Sequence, residues 1–404
     1  MVLKKEDILK QEALEDTKRD RLGSLVVVNH AKKILIVTGS FAPAQDGIAK
    51  YAKQLKDELP RATRDKVRVI VANWDEVKRW IWGFKQLAYF FKILNRARFS
   101  DLVYAQDPIV SGLPAALAAS LWRKRFVLRV TGDYAWERGM ALYGVIDDLD
   151  NFSRESAKYG FWVKFYKKLE AWVAKRAEVI VVPSNYLKKI VSNWQVAPEK
   201  IFVIYNSVDR PEEPVNKEVL RQKMQVSGRV MVSVGSLFPW KGYEMLVRIF
   251  PDLQRKFSDL KLLIIGDGPE RDRLNRQIIS ADLADSIMLT GNLDKVQMET
   301  YLRLADVFVS NSGYEGSPHQ LLETAAFETP IIATDVGGNS EFIENKTNGL
   351  LVKYNNAEDL KEAIGKILKD KSLAGKLARN AAAIVPKFSK ENMLAQLLNE
   401  VLLR

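Results

Sequence analysis

The feature that most restricts what this chain can fold into is a unit that occurs twice. At Lys32-Lys33-Ile34-Leu35-Ile36-Val37-Thr38-Gly39 an unbroken apolar run enters a glycine-bearing loop, Ser40 to Gly47. Ile48, Tyr51, Ala52 and Leu55 then recur at helical spacing. Much later, Val230-Met231-Val232-Ser233-Val234-Gly235 restarts the same strand, loop and helix order. Strands that are apolar throughout, rather than at alternate positions, are covered on both faces, which is the situation in parallel α/β sheets. Further short strands are expected at Val67–Val71, Leu102–Ala105, Arg125–Val130, Leu262–Ile265, Ile287–Gly291 and Ala305–Ser310, with two more opening at Val179 and Ile201. The reading is therefore an α/β protein with two Rossmann-like domains. Neither loop is GxGxxG, so no dinucleotide fingerprint is present.

Composition narrows the chemistry. With 404 residues and 47% hydrophobic content the chain can fill two domains of ordinary size. There is no Cys, and the two imidazoles are His30 and His319, which excludes disulfides, thiolate sites, multi-His metal centres and His-based triads. No apolar run is long enough to span a bilayer. The net charge of +12 attracts anions in general. No zinc finger, RNA-recognition signature or basic low-complexity tail accompanies it, so no nucleic-acid partner is expected.

The chemistry concentrates in Ser312-Gly313-Tyr314-Glu315-Gly316-Ser317-Pro318-His319-Gln320-Leu321-Leu322-Glu323. A short buried strand precedes it, Glu315 falls in a Gly/Ser/Pro loop, and Glu323 lies inside the helical run Leu321, Leu322, Ala325, Ala326, Phe327. A helix start offers unpaired N–H groups and a positive dipole end to a diphosphate. A carboxylate one turn inside can accept from two adjacent sugar hydroxyls, and an acid before the loop can reach beyond the phosphates. The stretch suits a nucleotide sugar.

Glu315 and Glu323, separated by seven residues and followed by Thr324, Ala325 and Ala326, resemble the hallmark of the family-4 retaining glycosyltransferases of the GT-B fold. The segments Val230 to Gly242, Leu262 to Pro269, Thr334 to Gly338 and Asn348 to Val352 are similar to that family as well. The resemblance implies a metal-independent hexosyltransferase of polysaccharide biosynthesis, with two domains facing each other across a cleft. It places the acceptor domain at 32–209 with the C-terminal helix 388–404, and the donor domain at 210–387, behind a charged leader at 1–31. It further implies that Glu315 contacts the donor sugar, Glu323 the nucleotide ribose and Lys241 the diphosphate. Gly47, Ser236, Gly316, Ser317, Pro318 and His319 would line the donor, which is a substrate, and no cofactor is implied.

This chain departs from the family pattern at three places. Asp46 replaces the first of two adjacent glycines, Ser236 stands where an Arg is usual, and no His lies near Thr131. Asp133 is the nearest polar candidate for a catalytic role there, with Arg129, Glu137 and Arg138 as candidate acceptor contacts or as a surface ion-pair cluster. Other GT-B chemistry, a sugar-nucleotide epimerase or a phosphorylase, and a catalytically inactive partner subunit are the competing readings. Between Trp74 and Arg98, Val77, Trp80, Ile81, Phe84, Ala88 and Phe91 are expected in the core. A second stripe, Lys78, Trp82, Lys85, Tyr89, Lys92 and Arg96, would meet an anionic membrane surface or be an ordinary solvated face. A cytoplasmic protein, peripheral at the inner face of the membrane and acting on a glycan or lipid-linked acceptor, is the expectation.

Overall fold

The structure is a computed structural model that describes residues 31–41, 47–77, 84–208, 217–317 and 319–403. The leader up to His30, the linker expected at Arg210 to Asn216, Asp46, Lys78, Trp80, Ile81, Trp82 and Pro318 lie outside the described residues. The chain divides into two compact units: residues up to Tyr205 together with Glu391 onward, and Asn206–Lys390.

In the first unit β1 (Lys32–Thr38), α1 (Gly47–Ala62), β2 (Val67–Asn73), α2 (Phe84–Arg98), β3 (Leu102–Ala105), α3 (Gly112–Leu121) and β4 (Arg125–Arg129) alternate. There follow α4 (Tyr134–Leu142), α5 (Leu149–Arg154), α6 (Phe161–Arg176), β5 (Val179–Val182), α7 (Asn185–Ser192) and β6 (Ile201–Val203). The six strands pair in parallel in the order β2-β1-β3-β4-β5-β6. Ile34, Leu35, Ile36 and Val37 are buried in succession, which is why β1 is apolar without alternation.

The second unit holds α8 (Lys217–Lys223), β7 (Arg229–Val234), α9 (Tyr243–Lys256), β8 (Leu260–Ile265), α10 (Arg271–Ser280), β9 (Ile287–Gly291) and α11 (Lys295–Leu304). Then come β10 (Val307–Ser310), α12 (His319–Ala326), β11 (Ile331–Thr334), α13 (Asn339–Phe342), β12 (Leu350–Val352), α14 (Ala357–Lys369) and α15 (Lys371–Ile384). Its strands are also all parallel, in the order β12-β11-β10-β7-β8-β9. The last helix, α16 (Lys390–Leu397), puts Met393, Leu394 and Leu397 into the same core as Ile34, Tyr51 and Leu55 of the first unit.

Two helices follow each other at the end of the second unit, because Asp370 is extended and its carboxylate accepts from Leu373 N at 2.9 Å, ending α14 and capping α15. One expectation is corrected here: the phase of α2 is the reverse of the expected one. Tyr89 is 1% exposed and its hydroxyl donates to the carbonyls of Thr38 (2.8 Å) and Ala72 (3.3 Å), with Ile93 and Ala97 following at steps of four. Lys92 and Arg96 both turn onto Glu76, and hydrogen bonds from them outweigh the burial that would raise its carboxyl, holding it down at about 2. Phe84 and Phe91, expected inside, are 62% and 60% exposed. The helix carries aromatic residues on both faces, and the hydroxyl of Tyr89 found acceptors in the interior that Phe cannot use.

Candidate functional site

In the second sheet β7 and β10 are neighbours, but the chain leaves them in opposite directions, towards β8 and towards β11. The carboxyl ends of two such strands bound a crevice where open α/β sheets take ligands. Both loops at this point carry residues singled out above. After β7, Ser236 stands exposed on the loop, and Pro239–Lys241 forms a short 3-10 turn closed by Gly242 at φ +65. A Cβ at Gly242 would overlap Asn311, whose side-chain N–H in turn donates to the Gly242 carbonyl at 3.0 Å. After β10, Gly313 N donates to the Trp240 carbonyl at 2.6 Å, so the two loops are bonded backbone to backbone.

The loops meet at an ion pair. Lys241 Nζ donates to Glu315 Oε1 at 2.6 Å, with side chains only 18% and 16% exposed. Glu315 itself is set by its backbone: its carbonyl accepts from Gly338 N at 2.9 Å, and Gly337, at φ +56, passes directly beneath. Burial, then the nearby charge of Glu315, push the Tyr243 phenol far above its ordinary value, opposed by a hydrogen bond with Ser233. That phenol is a neutral hydroxyl at the floor of the site.

One turn into α12, Glu323 Oε1 lies 3.2 Å from His319 Nε2. The imidazole Nδ1 on the other side of the ring is buried and has no partner among the described residues. Ser317 Oγ accepts from Asn206 Nδ2 at 3.0 Å, and Gly316 is buried beside it. Lys241, Glu315, Gly316, Ser317, His319 and Glu323 are therefore gathered on two bonded loops and the start of one helix.

Gly47 and Asp133 belong to the first unit. Gly47 opens α1, and no atom of the described residues lies within 4 Å of where a Cβ would stand. Asp133, offered above as a catalytic candidate, is 1% exposed: its oxygens accept from Trp136 N at 2.8 Å and Trp194 Nε1 at 3.3 Å. It caps α4 and faces the equally buried Glu170, which accepts from the N–H groups of Tyr134 (2.7 Å) and Ala135 (3.1 Å). Burial first, and the charge of Asp133 next, push the Glu170 carboxyl well above its ordinary value, and burial raises the Asp133 carboxyl as well. Asp133 is a positioning residue for the β4–α4 turn. Arg129 is likewise internal, its guanidinium 3.6 Å over the Tyr51 ring, and Arg138 Nε donates to Tyr134 Oη at 3.0 Å.

Sequence reasoning passed over Gln106. It follows β3 at the point where the first sheet's order reverses between β1 and β3, is fully buried, and among the described residues neither its side-chain N–H nor its carbonyl has a partner. Next to it, Asp107 accepts from the N–H groups of Ile109 and Ser111 and from Ser111 Oγ, pinning the loop ahead of α3. An amide between two buried strands carries no motif, and only the topology marks it.

Comparison with known proteins agrees with this geometry. Residues 216–383 match the family described as glycosyl transferases group 1, and residues 41–211 match glycosyltransferase family 4. An uncharacterized glycosyltransferase of Methanocaldococcus jannaschii is 27% identical over 297 residues, 71% of this chain and 68% of that protein. The N-acetylgalactosamine-N,N'-diacetylbacillosaminyl-diphospho-undecaprenol 4-alpha-N-acetylgalactosaminyltransferase of Campylobacter jejuni is 26% identical over 226 residues, 55% of this chain and 60% of that one. The crystal structure of HepE from Anabaena in complex with UDP-glucose superposes with a TM-score of 0.71 at 20% identity, covering 92% of this chain and 99% of HepE. The two family matches define a glycosyltransferase, and two parallel sheets with covering helices together with this likeness give it the GT-B fold. The chain belongs to glycosyltransferase family 4, its two matched segments together reaching from residue 41 to residue 383.

Proposed function

We propose that this glycosyltransferase moves a sugar, with retention of anomeric configuration, from a nucleoside-diphosphate sugar to a hydroxyl of a glycan or lipid-linked acceptor. The observation that carries the reading is the pairing of Lys241 with Glu315 beside Glu323 at the β7/β10 crevice. A diphosphate offers the Lys241 ammonium two anionic oxygens in place of one, which releases Glu315 to accept from donor sugar hydroxyls. The N–H groups at the start of α12 add positive potential for the same phosphates, and Glu323 accepts from the ribose. As the bond from the anomeric carbon to the diphosphate oxygen breaks, the bond to the acceptor oxygen forms on the same face. The acceptor proton passes to the leaving diphosphate. The two carboxylates bind the donor rather than flank the bond as a glycosidase pair does, and no protein nucleophile is used. HepE with bound UDP-glucose supports the donor class, and the undecaprenol-linked acceptor of the Campylobacter enzyme supports the acceptor class.

A thermal-shift screen of UDP-, GDP- and ADP-sugars against wild type and Glu323→Ala tests the donor reading. One donor should raise the wild-type Tm and leave the variant unmoved, and NMR of the product should show the donor's anomeric configuration. No shift from any nucleotide sugar, or an equal shift in both proteins, overturns it.

A further inference from the structure

The large apolar side chains left exposed in this protein are not scattered. Fourteen of the twenty among the described residues lie in the first unit, and most sit on or cap four helices. Those helices pack side by side in the order α2, α3, α6, α4. Phe84 and Phe91 stand out from α2, Leu121 from α3, and Phe161, Trp162 and Phe165 from α6, the last three 73%, 52% and 43% exposed. The three α6 rings touch one another, with centroids 5.3 to 6.5 Å apart, so the apolar surface is continuous along that helix. An extended exposed apolar surface on a soluble fold marks a contact surface.

Charge decides what it contacts. Apart from Lys92 and Arg96, which pair with Glu76, and Lys167, which donates to the carbonyls of Phe152 and Glu155, the four helices carry seven Lys and Arg against two acids, Glu137 and Glu170, and Glu170 is wholly buried. Basic groups are interleaved with the rings: the Arg98 guanidinium lies 5.5 Å over Trp122 and 5.6 Å over Phe99. Long cationic side chains beside Trp and Phe, with almost no acid, fit the interface of an anionic bilayer, where rings enter the headgroup level and ammonium groups meet lipid phosphates. Each basic residue brought to such a surface strengthens binding roughly fivefold. Among the described residues no helix is long and apolar enough to cross a membrane, so the contact is one of docking on the surface.

We infer that the outer face of α2, α3, α6 and α4 docks this protein on an anionic lipid bilayer, with Phe161, Trp162 and Phe165 inserted. This face differs from the stripe through Tyr89, Lys92 and Arg96, which the interior and Glu76 take up. It is also independent of the sugar chemistry, because binding is read without a donor. Co-sedimentation of the full chain with vesicles of phosphatidylglycerol and phosphatidylcholine, against phosphatidylcholine alone, tests it.

The wild type should bind the anionic vesicles at least tenfold more tightly. Phe161→Ser/Trp162→Ser/Phe165→Ser should lose at least tenfold, and so should Lys164→Glu/Lys168→Glu, which decides the matter if the first variant does not fold. Ile279→Ser/Val296→Ser, on exposed positions of the second unit, should bind as wild type. Failure of the wild type to bind, or wild-type binding by a folded variant on α6, overturns the inference. So does a concentration-dependent dimer in sedimentation velocity that the α6 variants abolish without any vesicle binding, since the face would then meet a second copy.

Discussion

Gly337→Ala isolates the backbone that aims Glu315. At φ +56 any residue with a Cβ is strained by about 1–2 kcal/mol. The added carbon would also overlap the Glu315 carbonyl oxygen and stand 3.1 Å from its carbonyl carbon and 3.2 Å from its nitrogen. That contact is with backbone, so no rotamer change relieves it, and the Glu315 segment must retreat by about 1 Å. Strain and lost packing together come to about 3 kcal/mol, or a fall of about 10 °C in Tm for a unit of this size. The functional loss should be larger in proportion, because a 1 Å error in a positioning group costs about a hundredfold in turnover. Circular dichroism melts, donor titration calorimetry and transfer rates on the identified donor read the three quantities separately. A variant with wild-type Tm, donor affinity and turnover would refute the claim that Gly337 holds Glu315. A lowered Tm with unchanged donor affinity and turnover would refute its link to the site while leaving the strain argument standing.

Other substitutions and conditions have equally definite outcomes. Gly365→Ala, inside α14 with nothing within 4 Å of the new Cβ, should stabilise by up to about 1 kcal/mol and leave donor binding alone, a melt that fails to rise contradicting it. Glu170 has a raised carboxyl, so its protonated form favours the fold: that stability is fully present below the ordinary value of 4.5 and is lost as pH rises towards the raised folded value. Glu170→Gln, which stays neutral, should therefore gain in Tm relative to wild type between pH 4.5 and pH 8, and parallel curves would count against a buried ionisable Glu170. If Lys241 and the helix start hold the diphosphate without a metal ion, transfer should survive excess EDTA with less than a twofold change, and activity abolished by EDTA and restored by a divalent ion would defeat that reading.

The strands were readable because burial on both faces leaves a short unbroken apolar run that ends in a glycine-bearing loop, as at Ile34 to Val37. Glu315, Glu323 and Lys241 were singled out because their segments resemble the motifs of the family, and the structure gathers them on two bonded loops and one helix start. Their union was not readable: Lys241 and Glu315 are 74 residues apart, and only the adjacency of β7 and β10 makes them partners. Asp133 misled because a short carboxylate after a strand serves a substrate or a helix start equally well, and here the N–H of Trp136 claimed it. The phase of α2 was ambiguous for a related reason. A helix aromatic on two faces is resolved by the acceptors above it, the carbonyls of Thr38 and Ala72, which come from other strands.

The place of α16 has a consequence for how the molecule comes into being. Met393, Leu394 and Leu397 fill a core whose other walls, among them Ile34, Tyr51 and Leu55, are synthesised before the whole of the second unit. During translation the second unit is complete once Lys390 emerges, while the first still lacks a wall and leaves Ile34, Tyr51 and Leu55 partly open to water. The later-made unit is therefore placed to fold first, and the earlier-made one waits on a closure of high contact order. A chain shortened before Glu391 should keep a cooperative transition for the second unit and expose apolar surface in the first, where a chaperone would find it.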